Sequence, residues 1–455
     1  MSTPTHHAPH AHAHLHTPPP DADAAYRRAY DAAQPDPGRS VVRIDLDVRE
    51  CDWTVATGRS VRAWGYNGSV PGPVIDAYVG DVLEVCLTNH LSEPTNIHWH
   101  GLRIPAAMDG TESVQRPVAP GDSFTYRFRL PDAGTFWYHP HINETVQLEM
   151  GLYGALIVRE PGEPVLDQER ILVLDDLRLD KNGRIAPFGG MVERHDGREG
   201  DVRLVNGTAE PELTIAAGQV ERWRVINASS ARYIRLSIGG LPFRILGTDG
   251  GLIEAPVTVT DVLLATADRV DIAVGPFDQG QELAVEALPY LRRTIRKRKT
   301  ERFATLRVGP AQPSTAMIPE RLRTIPSLAP ASATPTRTVK LGIKLSLRHG
   351  VDFVINKEAH HRADPVKVGE LQVWDVVNTT LMDHPFHLHG FFFQVLAMNG
   401  EPPAWTSWED VINLPPLATA RIAWLPDDRP GSWMYHCHIL EHHASGMMAH
   451  FDVVA

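Results

Sequence analysis

The chain has 455 residues, with 44 Lys plus Arg against 55 Asp plus Glu and a net charge of −11. This balance excludes a nucleic-acid partner held by general positive charge, no apolar run approaches the ~20 residues of a membrane-spanning helix, and three cysteines cannot build a disulfide framework. At ~150 residues per domain the length suggests about three domains, and the abnormal count is 23 histidines.

Residues 1–40 open on MSTPTHHAPHAHAHLHTPPP, a His-, Pro- and Ala-rich stretch whose low complexity predicts disorder. The stretch lacks the basic start and apolar run of a signal peptide. Its histidines are either a loose metal-binding tract or an inert leader. From Val41 the pattern becomes that of strands: VVRIDLDV alternates Val42, Ile44, Leu46 and Val48 with polar residues. SFTYRFRL (123–130) and LGIKLSLR (341–348) alternate in the same way. Short period-2 runs punctuated by Gly and Pro predict an all-β chain of antiparallel sandwiches or barrels. The basic run RRTIRKRKTER (292–302) reads as a solvated hairpin, given the acidity of the whole. The Pro-, Ala-, Ser- and Thr-rich stretch 310–335 reads as a linker. Cys51 and Cys86 either pair in an oxidising compartment or stay as two buried thiols.

A repeat organises these strands. GDVLEVCLTN (80–89), GQVERWRVIN (218–227) and GELQVWDVVN (369–378) each run from a Gly through a strand to an Asn. Their spacing is that of domains, so the chain divides into three copies of one all-β unit at 41–162, 163–309 and 336–455. Nine residues after Asn89 comes His98 of HWH, followed by His100; nine after Asn378 comes His387 of HLH, followed by His389. In the second copy these offsets fall on Leu236 and Ile238. GTFWYHPH (134–141) also aligns with GSWMYHCH (431–438), which matches His139 and His141 with His436 and His438.

Chance gives about one His-x-His in a chain of this composition, but not four at matched offsets in two repeats. Residues i and i+2 share a strand face, so each pair presents two imidazoles in one direction. Eight imidazoles in two matched sets predict a cluster of two or three metal ions between copies one and three. Imidazole alone does not choose among copper, zinc, iron and nickel. Cys437 chooses: its side chain points away from His436 and His438, and with His384, His442 and Met447 it completes the ligand set of a blue copper site. An inert buried thiol is the usual fate of a lone cysteine, which the flanking histidines argue against. For Met447 the alternative is a core filler beside Met448. Copy one has Pro140 and Thr95 at the positions of Cys437 and His384, so only copy three can build this site.

The motifs HWHG, WYHPH, HPFHLHG and HCHILEHHASGMM, in this order from about residue 41 to 455, resemble the multicopper oxidase family in its three-domain, laccase-like form. The resemblance implies three cupredoxin-like Greek-key domains and four copper ions. Type 1 copper would sit on His384, Cys437, His442 and Met447, and type 2 copper on His98 and His387. One type 3 copper would sit on His100, His139 and His436, the other on His141, His389 and His438. The implied activity is oxidation of a phenolic or aromatic reductant, four electrons at a time reducing dioxygen to water. Cu(I) or another metal ion is the alternative reductant, although no methionine-rich cluster is present to gather it. A non-catalytic copper-binding protein is a further alternative, and the chain is expected to work as a monomer. Asp109 in AMDGTES matches the family's acidic residue near type 2 copper, with a role in tuning or proton relay; a simple turn before Gly110 is the other reading. The family's bacterial members often place an acidic residue just after the second type 1 histidine, where this chain has His443. Glu441 lies on a neighbouring face and does not replace it. His443 is then either a proton relay or a solvated surface residue. Six other histidines outside the tail are left over: His90, His195, His349, His360, His361 and His450.

Overall fold

A computed structural model describes residues 20–292, 298–346 and 350–455. Its strands form six sheets, two to each of three cupredoxin-like sandwiches. In the first unit the strands Arg59–Tyr66, Val41–Ala56, Val82–Asn89 and Ser123–Arg129 make one sheet. Ile75–Tyr78, Gly154–Arg159, Gly134–His139 and His98–His100 make the other. Alternate residues from both, among them Leu83, Val85, Trp99, Phe128 and Tyr138, close one buried core. The second unit pairs sheets of seven and five strands, the third sheets of five and six. Among the described residues no helix is long and apolar enough to cross a membrane.

The pattern is not purely antiparallel, as the alternation had suggested. In each unit the opening strand runs parallel to the repeat strand, pairing Val42 with Leu83, Arg170 with Trp223, and Arg337 with Trp374. A connection through the opposite sheet returns the chain in its original direction, which a local hairpin cannot do. On its other side each repeat strand meets an antiparallel neighbour.

The Asn that ends each repeat strand has a structural task. Asn89 Nδ2 donates to the carbonyls of Glu93 (2.9 Å) and Val118 (2.8 Å), and its Oδ1 accepts from Leu91 N (2.9 Å). Asn227 donates to the carbonyls of Arg232 and Leu264 and accepts from Ser229 N. Asn378 donates to the carbonyls of Met382 and Leu414 and accepts from Thr380 N. One buried amide thus satisfies loop groups that water cannot reach. In the first and third units the clamped loop leads directly into the histidine strand.

Two expectations need correcting, and one open alternative closes. Part of the segment expected to be disordered is folded: Ala22–Ala32 is a helix. Tyr26, Ala29 and Tyr30 recur at helical spacing and pack on the first core; Tyr26 Oη donates to Thr125 O at 2.9 Å. The histidine tract at 6–16 lies outside the described residues, as does His349. The basic run is not wholly solvated either. Arg292 is 1% exposed, 3.0 Å from Glu199, and Arg298 reaches the same carboxylate at 2.6 Å, because a buried carboxylate requires countercharge; residues 293–297 lie outside the described residues. Cys51 and Cys86 are both free. Cys86 pairs in register with Asp45, six positions before Cys51 on the same strand, about 20 Å away and too far for a disulfide.

Candidate metal centre

Both histidine strands of the first unit lie side by side, with His98 opposite His139 and His100 opposite Trp137. In the third unit the strand His384–Leu388 pairs with Gly431–Cys437, so that Phe386 faces Cys437 and His387 faces His436. The two units bring these strands together. His100 stacks on His387 at 3.9 Å between ring centres, and His98 meets His389 at 4.1 Å. All eight imidazoles of the four His-x-His pairs are buried.

Their hydrogen bonds decide which nitrogen faces inward. Nδ1–H donates to a carbonyl in His98 (Asp109 O, 2.9 Å), His139 (Pro140 O, 2.8 Å), His387 (Asp410 O, 2.9 Å) and His436 (Cys437 O, 3.0 Å). In His389 it donates to Asp109 Oδ2 at 2.9 Å. A carbonyl or carboxylate can only accept, so Nε2 of each ring keeps its lone pair. His100 is reversed: Nε2 lies 3.1 Å from Asp410 Oδ1, which leaves Nδ1 for the cluster. The Nε2 atoms of His98, His141, His387 and His438 are buried with no hydrogen-bond partner among the described residues. Buried lone pairs without a donor are costly, and a metal ion is the partner that such converging atoms fit. Burial, with repulsion from neighbouring imidazoles, holds His100, His139, His389, His436 and His438 well below the usual histidine range. They are therefore neutral and able to ligate.

The grouping differs from the expected one. His436 lies with His141 and His389, whose ligand atoms come within 4.8 Å of one another, and His389 Nε2 is 3.0 Å from His436 Nε2. His438 instead meets His100 at 5.0 Å and His139 at 5.6 Å between ring centres. Antiparallel register is the reason. His438 N bonds Pro385 O, while His389 N bonds Met434 O, at opposite ends of the paired strands. The two backbones are four residues apart in register, about 13 Å, so His389 and His438 cannot share an ion as expected. His436 and His438 exchange places.

Cys437 points into a separate pocket. Its Sγ is 3.5 Å from His384 Nδ1 and 3.7 Å from His442 Nδ1, and the two nitrogens are 3.2 Å apart. His384 Nε2 is held by Thr380 Oγ1 at 2.9 Å and His442 Nε2 by His195 O at 2.9 Å, so both rings turn Nδ1 towards the sulfur. Met447 is buried in the same core, its carbonyl accepting from Cys437 N at 3.1 Å. Burial pushes the metal-free thiol up to about 12, and a bound cation must displace that proton.

Three carboxylates support the histidine cluster. Asp109 follows the 3-10 turn Ala106–Met108 as its C-cap residue, and its Oδ2 accepts from His389 Nδ1. Asp410 was not anticipated. Burial alone would raise it, but Arg269 at 2.8 Å and the His387 ring hold it down to about 2. It does for His387 and His100 what Asp109 does for His98 and His389. It lies 23 residues after His387 where Asp109 lies 11 after His98, so repeat offsets could not find it. Glu144 was also missed. Its Oε1 is 2.9 Å from His141 Nδ1 and its Oε2 accepts from His443 Nδ1 at 2.9 Å. His443 is not a solvated surface residue: it is buried, stacked on His436 at 4.3 Å. Glu144 opens the short helix Glu144–Gln147 just after a bend at 141–143, so no periodic pattern in the sequence joined it to His141.

A thiolate pocket joined by single peptide bonds to an all-imidazole cluster defines a copper-containing oxidoreductase. Known sequences and structures narrow this class. Three multicopper oxidase models match residues 47–163, 175–311 and 342–455. The multicopper oxidase MmcO of Mycobacterium tuberculosis is 31% identical, over 94% of this chain and 90% of its own length. A laccase of Bacillus subtilis is 28% identical, over 86% of this chain and 90% of its own. Among solved structures, a multicopper oxidase of Campylobacter jejuni described as a metallo-oxidase superposes with a TM-score of 0.82 at 31% identity, covering 91% of this chain and 92% of that one. The chain belongs to the multicopper oxidase family, an oxidoreductase with copper as cofactor and dioxygen as acceptor.

Proposed function

We propose that the protein couples four one-electron oxidations of an external reductant to reduction of dioxygen to water. The observation that carries this reading is the covalent junction at Cys437. The cysteine packs against His384 and His442, while its two chain neighbours enter different histidine groups. We assign type 1 copper to His384, Cys437, His442 and Met447, and type 2 to His98 and His387. The type 3 pair falls to His100, His139 and His438, and to His141, His389 and His436. Copper, when bound, supplies one-electron redox change in the cysteine pocket and multi-electron reduction of dioxygen in the cluster. The chain's own groups hold each imidazole in one tautomer, exclude water, and provide carboxylates for protons. Asp109 is the catalytic carboxylate: its Oδ1 accepts no hydrogen bond among the described residues and lies 3.4 Å from His98 Nδ1.

Two classes of reductant remain, phenolic or aromatic compounds and reduced metal ions. A phenol would need the outer edge of a type 1 histidine, and His442 has none exposed. That burial favours a reduced metal ion, in line with the Campylobacter relative. The absence of a methionine cluster and the Bacillus laccase keep phenols as the second reading. The test is to load the chain with copper, count metal, and follow oxygen uptake with Cu(I), Fe(II) and a phenol. About four coppers per chain with uptake on Cu(I) or Fe(II) exceeding that on the phenol supports the proposal. Full loading without uptake on any reductant would falsify the oxidase reading.

A further inference from the structure

The second unit carries none of the assigned ligands, yet one of its side chains reaches the histidine cluster. Arg269 opens the strand Arg269–Val274, and none of its side chain is exposed. All five of its guanidinium N–H groups are used. Nη1 donates to Asp410 Oδ1 at 2.8 Å and Nη2 to Asp410 Oδ2, a two-point fork onto the third unit. The other N–H groups go to carbonyls: Nη1 to Ala267 and Nη2 to Asp249, both at 3.2 Å, and Nε to Thr135 at 3.1 Å. Thr135 lies on the first unit's strand Gly134–His139. Gly101, which follows His100, has φ +86°, and a Cβ there would lie 2.7 Å from Asp410 Oδ2 and closer still to Arg269 Nη2. Only glycine lets the chain after His100 lie against this fork.

What the fork fixes is the direction of the Asp410 carboxylate. With both oxygens held by the guanidinium, Oδ1 takes its further donor from His100 Nε2 at 3.1 Å. His387 Nδ1 is farther off at 3.4 Å, and its proton is already given to the Asp410 carbonyl. His100 therefore spends its one proton on Nε2, and Nδ1 keeps a lone pair. That lone pair faces His139 Nε2 at 3.4 Å, and His139 Nε2 is also a lone pair because its Nδ1–H is spent on Pro140 O. Two buried lone pairs so placed are costly without a cation between them. The other tautomer of His100 would remove that cost without any cation. Its Nδ1–H would donate to His139 Nε2 and close the position a metal needs. The carboxylate at Nε2 is the group that holds His100 out of this closed state.

We propose that Arg269 is a positioning residue for the histidine cluster. By aiming Asp410 it keeps His100 in the Nε2–H tautomer and holds open the position shared by His100, His139 and His438. The inference rests on the assignment of type 3 copper to those three histidines for the metal involved, but the tautomer is a property of the copper-free protein. Lysine cannot take over this task. Its ammonium keeps the charge but offers donors from one point and no planar fork, so Asp410 keeps a counterion and loses its fixed direction.

Arg269→Lys is the test. Arg232→Lys is its control, a buried second-unit arginine whose partners Asp176 and Gly200 lie in the second unit itself. Long-range proton–nitrogen correlation spectra of the copper-free proteins, with the His100 signals assigned from His100→Gln, read the tautomer. In the parent and in Arg232→Lys, His100 carries its proton on Nε2; in Arg269→Lys the Nδ1–H form becomes the major one. Chelator titration of the copper-loaded proteins then shows one ion bound about 10- to 100-fold more weakly in Arg269→Lys than in the parent. Gly101→Ala presses on the fork with every charge in place and shifts the tautomer in the same direction; it decides the matter if Arg269→Lys does not fold. An Nδ1–H His100 in the parent, or a folded Arg269→Lys or Gly101→Ala with the proton still on Nε2, overturns the proposal. A shift of equal size in Arg232→Lys overturns it too, because general loosening would then account for the change. A parent that takes up no copper defeats the metal assignment instead, and the tautomer spectra alone then decide the role of Arg269.

Discussion

His443 stands where the family resemblance led to an expected carboxylate, and in the structure it meets Glu144 of the first unit instead. The imidazole donates to Glu144 and stacks on His436, so the pair is one unit split between two units of the chain. Restoring the expected residue should therefore do harm. His443→Glu would set a new carboxylate beside Glu144 and near Glu112, whose carboxyl burial and Glu144 already push up to about 7. Losing a buried pair in this way should cost about 3 kcal/mol, read as a lower Tm of the metal-free protein. The double variant Glu144→Gln/His443→Glu should recover most of the loss, and an equally stable single variant would show that the pair is not coupled. Asp109 admits a cleaner separation of roles. Asp109→Asn keeps an oxygen for His389 Nδ1–H, so copper content should hold while turnover falls and its pH profile shifts. Asp109→Ala removes that oxygen and should weaken copper binding about 10- to 100-fold. Unchanged turnover and pH profile in the Asn variant would leave Asp109 only its orienting role.

Strands and loops explain why so much of the site was legible and where legibility stopped. Period-2 alternation placed the strands, and the repeated Asn marked the loop that leads to each histidine strand. Because one strand face holds residues i and i+2, the eight cluster histidines could be found from offsets alone. Which histidines share an ion depends on how two strands run past each other. HCH and HLH look alike in sequence, yet their antiparallel register separates His389 from His438. The N-terminal helix escaped notice because its apolar stripe is only Tyr26, Ala29 and Tyr30 in an Ala-rich background. His195, left without a role by spacing, acts through its backbone carbonyl, which no side-chain pattern can announce. The Asn clamp can be tested where no metal intervenes. Asn227 makes the same bonds in the second unit, so Asn227→Ala should orphan several buried groups at a cost of about 2–3 kcal/mol. Thermal unfolding would show the loss, and a copper count equal to the parent's would confine it to the scaffold. A parallel loss of copper would contradict a purely structural clamp.

At the scale of the whole molecule the second unit, which has no cluster ligands of its own, holds the other two in place. Arg269 reaches Asp410 and Asp249, and Thr266 Oγ1 donates to His438 O at 2.9 Å. A second set of buried charges lies near the type 1 side. Glu199 meets Arg292 at 3.0 Å and Arg298 at 2.6 Å, with Arg232 at 3.8 Å, and Arg292 also donates to the carbonyls of Ala231 and Asp196. Burial would raise the Glu199 carboxyl, but Arg298, Arg292 and Arg232 outweigh it and bring it to about 2, against an ordinary value of 4.5. A carboxyl depressed in the folded state contributes stability that is complete above its unfolded value and is lost as pH falls towards its folded one. The parent protein should therefore show a constant contribution from this group above about pH 5 and a falling Tm between about pH 4.5 and 2. Glu199→Gln removes the charge at every pH. It should lower Tm at pH 7, where three guanidinium groups lose their counterion, and narrow the gap to the parent as the pH falls through the same window. A gap between the two proteins that is as wide at pH 3 as at pH 7 would mean that ionised Glu199 does not hold this cluster within the second unit together.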